Sequence, residues 1–98
     1  MSATQPTIGV LTLHLHVEHS HSLKDKRQVV RSLKDRLRAK FNVATAEIDH
    51  QESWQQAVIG VVTVSGDRGR VEQTLQLAER EAASMLGAIL VGAQTEYL

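Results

Sequence analysis

Five basic side chains recur in one stretch of this sequence at spacings of three and four residues. They are Lys24, Arg27, Arg31, Lys34 and Arg38, and on a helix such spacings place them in a single stripe. Like charges at these spacings oppose helix formation by about 0.2–0.5 kcal/mol per pair unless something anionic compensates them. Because guanidinium groups match the geometry of phosphate oxygens, we predict that this basic stripe contacts structured RNA.

Charge is distributed unevenly along a chain whose net charge is zero. Residues 22–41 hold eight bases and two acids, whereas the remaining residues hold three bases and nine acids. Opposite poles of this kind attract an anionic partner at one place without making the whole protein basic. The alternative is that acids of the same chain, such as Glu72 and Glu79, neutralise the stripe, in which case the bases serve only the fold.

Aromatic residues are few, which limits the kind of RNA contact that the sequence supports. The chain has one Phe, one Trp and one Tyr, so a central strand lacks the pair of stacking residues found in modules that read RNA bases. We therefore expect the stripe to bind the backbone and shape of RNA. Trp54 itself is expected to be packed as the anchor of the loop that carries it.

Histidines are frequent, with five in the chain. His14 and His16 lie two residues apart in a predicted strand and so share a face, and His19 and His21 follow in the next loop. Imidazoles at such spacings can chelate zinc, nickel or copper. However, the sequence has no HExxH motif and no carboxylate that must join them. We therefore predict no metal site.

Asp49 and His50 are the residues that come nearest to a catalytic pair, an orienting acid beside a general base. No motif places a hydroxyl nucleophile with them, and Ser53 is merely close in sequence. We expect a loop that is fixed by side-chain hydrogen bonds. The prediction is accordingly a non-enzymatic protein with no catalytic residue and no cofactor.

Hydrophobic periodicity predicts the elements that position these residues. Ser22 and Asp25 resemble a capping box, and Asn42 is expected to end the helix in a left-handed conformation. The predicted order is a strand at 8–17, a helix at 24–40, strands at 43–49 and 56–65, a helix around 71–85 closed by Gly87, and a strand at 88–97.

The order β-α-β-β-α-β is typical of an α+β, ferredoxin-like fold, a four-stranded antiparallel sheet with two helices on one face. We expect a single domain over residues 1–98, of which 1–7 are flexible. The sheet face without helices is predicted to be apolar, and such a face usually marks an interface. We therefore predict a homodimer whose interface includes Val10, Thr12, His14 and His16. The alternative function is a protein-interaction or regulatory module that dimerises in this way and binds no nucleic acid.

Four runs together are distinctive: HSLKDKR at 21–27, FNV at 41–43, AEIDHQ at 46–51 and WQQA at 54–57. In these runs the chain resembles the YlxP-like bacterial family, a small domain of unknown function. The resemblance implies a ferredoxin-like fold, a cytoplasmic location, and genes that often lie beside those of translation initiation and ribosome maturation. It implies no known activity. We expect a cytoplasmic factor whose partners are ribosomal RNA or a ribosome-associated protein, with no membrane.

Overall fold

The computed structural model describes residues 5–98, in which the elements follow the predicted order. They are β1 (Thr7–His16), α1 (Leu23–Lys40), β2 (Ala44–Asp49), β3 (Gln56–Ser65), α2 (Arg68–Leu86) and β4 (Leu90–Tyr97). A short 3-10 helix, Gly87–Ile89, separates α2 from β4 and shortens the last predicted strand at its start. Of the residues expected to be flexible, 1–4 lie outside the described part, and Thr7 already pairs with Ser65.

The four strands form one antiparallel sheet in the order β2-β3-β1-β4. Alternate residues of β1 and β3 point toward both helices, because their side chains join those of α1 and α2 in one buried cluster. Leu33 and Leu37 of α1 are fully buried there, each contributing about 1.5–3 kcal/mol of apolar burial. The other contributors include Leu11, Leu13, Leu15, Ile59, Val61, Val71, Leu75 and Ala78. The predicted ferredoxin-like fold is confirmed.

The start of α1 is built as the capping box predicts. The Asp25 backbone N–H donates to Ser22 Oγ at 3.1 Å, and the His21 backbone N–H donates to Asp25 Oδ2 at 3.1 Å. The helix ends at Lys40 as predicted, but the prediction of a left-handed Asn42 was wrong, because Phe41 caps the helix with extended backbone angles of φ −133° and ψ 155°. The Phe41 ring packs against the core, and this contact favours the extended exit.

Both outer strands carry one extra residue at the same level of the sheet. In β2 it is Ile48, which lies between the pairs Glu47–Ile59 and Asp49–Val58. In β4 it is Val91, at the register shift opposite His14 and Leu15. Each of these bulges leaves its strand locally unpaired and increases its twist.

Candidate nucleic-acid interface

The basic stripe of α1 lines an open groove between this helix and the edge strand β2. Arg27, Arg31, Lys34 and Arg38 contribute to the groove, which has a volume of about 410 Å³. Its other lining residues are Val30, Asp35 and Glu47. Lys24, the fifth member of the stripe, is exposed near the N-terminal end of the helix. The structure therefore gathers four of the five predicted residues around one concave surface.

The stripe is largely free of carboxylate partners within residues 5–98. Arg38 forms an ion pair with Asp35, one turn earlier in the same helix. No carboxylate oxygen of the described residues lies within ion-pair distance of Lys24, Arg27, Arg31 or Lys34. Glu72, one of the acids considered as an alternative partner, instead accepts a hydrogen bond from Arg68 Nε at 2.9 Å.

Neutralisation by the second helix does occur, but on the other side of α1. Arg36 Nη1 and Lys40 Nζ donate to the two carboxylate oxygens of Glu81, at 3.1 and 2.9 Å. Both hydrogen bonds lower the pKa of Glu81 from its ordinary value, and the hydrogen bond from Lys40 has the larger effect. Glu81 of α2 therefore satisfies Arg36 and Lys40, whereas Lys24, Arg27, Arg31 and Lys34 of the stripe have no carboxylate partner among residues 5–98.

Lys26 precedes Arg27 in the sequence, yet its side chain points inward and is fully buried. Its Nζ donates to Glu47 Oε2 at 3.0 Å and to the backbone carbonyls of His50 at 2.8 Å and Gln56 at 3.1 Å. An ammonium group has three donors, so the fold uses all of them. Lys26 thereby ties α1 to the end of β2 and to the start of β3.

The loop at 50–55 is held by these contacts and by its own hydrogen bonds. His50 has a left-handed backbone, with φ 63°, and its N–H donates to Asp49 Oδ1 at 2.8 Å. Asp49 thus contacts the backbone of His50, as expected for a loop that is fixed by side-chain hydrogen bonds. The prediction that Trp54 is packed as the anchor was wrong, because its side chain is 58% exposed.

Sequence reasoning missed Lys26 as a structural residue, although the sequence contains a signal for it. The apolar seam of α1 runs through Leu23, Val30 and Leu37, and a helix requires an inward position one turn after Leu23. That position is occupied by a lysine. A charged residue in an apolar seam predicts a buried partner of opposite charge, which here is Glu47.

The sheet face without helices carries the predicted interface residues Val10, Thr12, His14 and His16, whose side chains alternate with the buried leucines of β1. Four large apolar side chains are exposed on the same face, between 37% and 62%: Ile48, Val62, Val64 and Val91. At one end of this face, His14, His16 and His50 line a shallow cavity of about 160 Å³. The structure thus brings together three histidines that are separated in sequence.

The histidines do not amount to a metal centre in the described structure. Within residues 5–98, no three His, Asp or Glu side chains are arranged so as to hold a metal ion. As for membranes, neither α1 nor α2, nor any other helix in that range, has the length and apolar character needed to cross one.

The architecture and the groove together define the class: a small α+β protein of ferredoxin-like topology with a cationic surface beside an edge strand. The chain belongs to the family described as "Protein of unknown function (DUF503)", whose model matches residues 8–95. It is 36% identical over 69 residues to the uncharacterized protein YlxP of Bacillus subtilis strain 168, covering 70% of this chain and 75% of that protein. The resemblance to the YlxP-like family is thereby confirmed.

One of two similar solved structures supports the fold. The designed protein Foldit4 superposes with a TM-score of 0.57 at 13% identity, over 96% of this chain and 97% of its own. A dimeric ferredoxin-like protein of unknown function from Thermobifida fusca YX gives a TM-score of 0.46 at 14% identity, over 93% of this chain and 90% of its own. The second likeness is too weak to bear on how this chain assembles.

Proposed function

We propose that this protein binds structured RNA by placing the basic groove of α1 against the phosphate backbone. The observation that carries the proposal is that Arg27, Arg31 and Lys34 line the groove with no compensating carboxylate among the described residues. The two acids of the groove are already engaged, Asp35 by Arg38 and Glu47 by Lys26. The uncompensated charge of the groove is therefore positive.

The shape of the charged surface favours a polymer over a single small anion. From Lys24 to Arg38 the stripe follows about 21 Å of helix, and its residues from Arg27 to Arg38 line the open groove. Regularly spaced cations suit a phosphate backbone, which gives a protein its register and orientation without reading sequence. RNA is also the polyanion expected from the gene neighbourhood that the resemblance to the YlxP-like family implies.

A salt series on a short RNA hairpin tests the proposal. The logarithm of the association constant should fall linearly with the logarithm of salt concentration, with a slope of about −2 to −3 for three phosphate contacts. The variant R27Q/R31Q should weaken binding by about tenfold or more. It should also make the slope shallower, by the amount that corresponds to about two phosphate contacts. A flat salt dependence of the wild type contradicts the proposal.

The matched control is R36Q/K40Q, which removes the same charge from the same helix. Arg36 and Lys40 face Glu81 and not the groove, so this variant should leave the salt slope unchanged. If both double variants weaken binding equally, the contact is a nonspecific response to net charge and the groove is not the site.

A second proposal concerns self-association, because Val62 and Val64 are exposed on the sheet face opposite the helices. We propose that a second copy covers this face. Glu96 of β4 lies beside Val10, at the opposite end of the sheet from His16. In such a dimer, a twofold axis can lie in the plane between the two sheets and run across the strands. This axis places the histidine end of one copy against the Glu96 end of the other, where imidazole and carboxylate groups are complementary.

Sedimentation of two matched variants tests this second proposal. V64K places a charge on the open face, whereas L77K places it on α2, where Leu77 is exposed to a similar degree. The wild type and L77K should sediment as dimers and V64K as a monomer. A monomeric wild type, or a V64K variant that stays dimeric, excludes the open face as the contact between copies.

A further inference from the structure

Trp54 is an exposed aromatic side chain on a backbone that is fixed on both sides. Before it, the His50 carbonyl accepts hydrogen bonds from Lys26 Nζ at 2.8 Å and from the Ser53 N–H at 3.0 Å. After it, the Gln55 carbonyl accepts from the Val17 N–H at 2.8 Å, and the Gln55 side chain donates to the Glu18 carbonyl at 3.0 Å.

The turn that carries Trp54 is closed by hydrogen bonds that do not involve the indole. Ser53 Oγ closes the turn by accepting from the backbone N–H groups of Gln55 at 3.3 Å and Gln56 at 2.9 Å. More than half of the Trp54 side chain is exposed to solvent, at 58%. A large ring presented from an ordered backbone loses little conformational entropy on binding, which is why tryptophan is frequent at binding hot spots.

The position of the loop relates Trp54 to the basic groove. Lys26 holds the loop at His50 and Gln56, and it lies in the first turns of α1 between Lys24 and Arg27 of the stripe. The Cα atom of Trp54 is two residues from that of Gln56, and hence at most about 7.6 Å away. The loop that carries the exposed ring therefore lies beside the N-terminal turns of α1, where the charged surface begins.

We infer that Trp54 stacks on an unpaired base of the RNA whose backbone lies in the basic groove. The inference rests on the proposed function and specifies its ligand: a structured RNA in which a paired stem adjoins a single-stranded nucleotide. Stacking on an aromatic ring tolerates every base, since each base has a π-face. Phosphate contacts along α1 set the register, and the ring holds the nucleotide that leaves the stem.

Two hairpin RNAs with the same stem test the inference, one blunt and one with a single-stranded 3′ extension. Trp54 is the only tryptophan of the chain, so its fluorescence reports this site alone. The extended hairpin should quench the emission and the blunt hairpin should not. The variant W54L should weaken binding of the extended hairpin by about 5- to 150-fold, equivalent to about 1–3 kcal/mol, and leave the blunt hairpin unaffected, whereas W54F should retain most of the affinity.

The outcomes separate the inference from the proposal on which it rests. Salt-dependent binding of both hairpins, with emission unchanged and W54L equal to the wild type, overturns stacking and leaves the groove intact. An equal loss for both hairpins in W54L also overturns it, because the ring would then act on the stem or the fold. If neither hairpin binds, RNA binding itself fails. A blue shift of the emission on concentrating the protein alone would assign Trp54 to a contact between copies.

Discussion

Helix α1 carries two kinds of positive charge, and their environments differ completely. Lys26 is buried, and a carboxylate and two carbonyl groups occupy its three donors. Arg27, the next residue, is exposed and lines the groove without a carboxylate partner in the described structure. The comparison shows that the charge of Lys26 stabilises the fold, whereas the charge of Arg27 is free to bind a partner.

The difference follows from which groups each residue faces. The inward side of α1 meets Glu47 and the carbonyl groups of the loop at 50–55, and a charge there must be paired because burial removes its water. Arg36 and Lys40 meet Glu81 across the gap to α2. The remaining side of the helix meets solvent, where an unpaired cation is well hydrated. Substitutions on each side of α1 should therefore have effects of different size and sign.

The largest effect is expected from K26M. This substitution leaves the partly buried Glu47 carboxylate without its partner and takes one donor from the carbonyl groups of His50 and Gln56. Breaking such a pair costs about 3–5 kcal/mol. Urea unfolding should show this loss, whereas K24M, at an exposed position of the same helix, should change stability by no more than about 0.5 kcal/mol. The double variant K26M/E47L should recover part of the loss. Equal stability of K26M and K24M would remove the distinction between the two charges.

A smaller effect of opposite sign is expected from R31Q. The substitution removes the charge repulsion of residue 31 with Arg27 and Lys34, which lie four and three residues away. The loss of this repulsion should stabilise the protein by about 0.4–1 kcal/mol. Glutamine has a helix propensity close to that of arginine, so the gain reports repulsion. R36Q is the control, because it loses an exposed ion pair with Glu81 and should be neutral or slightly destabilising. Urea unfolding at low salt measures both, and a destabilised R31Q would mean that the stripe is compensated within the fold.

The smallest effect is a pH dependence that arises at Glu81. Hydrogen bonds from Lys40 and Arg36 lower its pKa in the folded protein, so its contribution to stability is complete above the ordinary glutamate pKa. That contribution is lost as the pH falls below the ordinary glutamate pKa and through the lowered value. E81Q should therefore lose less stability than the wild type on acidification, as thermal melts at several pH values measure. Parallel curves for E81Q and the wild type would show that this cluster contributes nothing.

Local sequence patterns predicted most of the fold and the exposed basic stripe of α1, but they did not predict the buried Lys26. The capping box at Ser22 and the spacing of the stripe are properties of one helix, so the sequence alone was enough to find them. The partner of Lys26 lies across the fold, and only the inward direction of Glu47 in β2 reveals it. The exposure of Trp54 was predicted wrongly for a related reason. The direction of its ring depends on how Lys26 and Gln55 hold the loop, and neither contact is local in sequence.

The bulges at Ile48 and Val91 also bear on how copies of this protein can meet. A regular outer strand offers a row of unpaired backbone groups on which another sheet can be extended, and an extra residue that twists the strand interrupts that row. Here both borders of the sheet are interrupted at the same level. Growth of a continuous sheet from molecule to molecule is therefore opposed at both margins, which protects a small protein of this topology from fibrous aggregation.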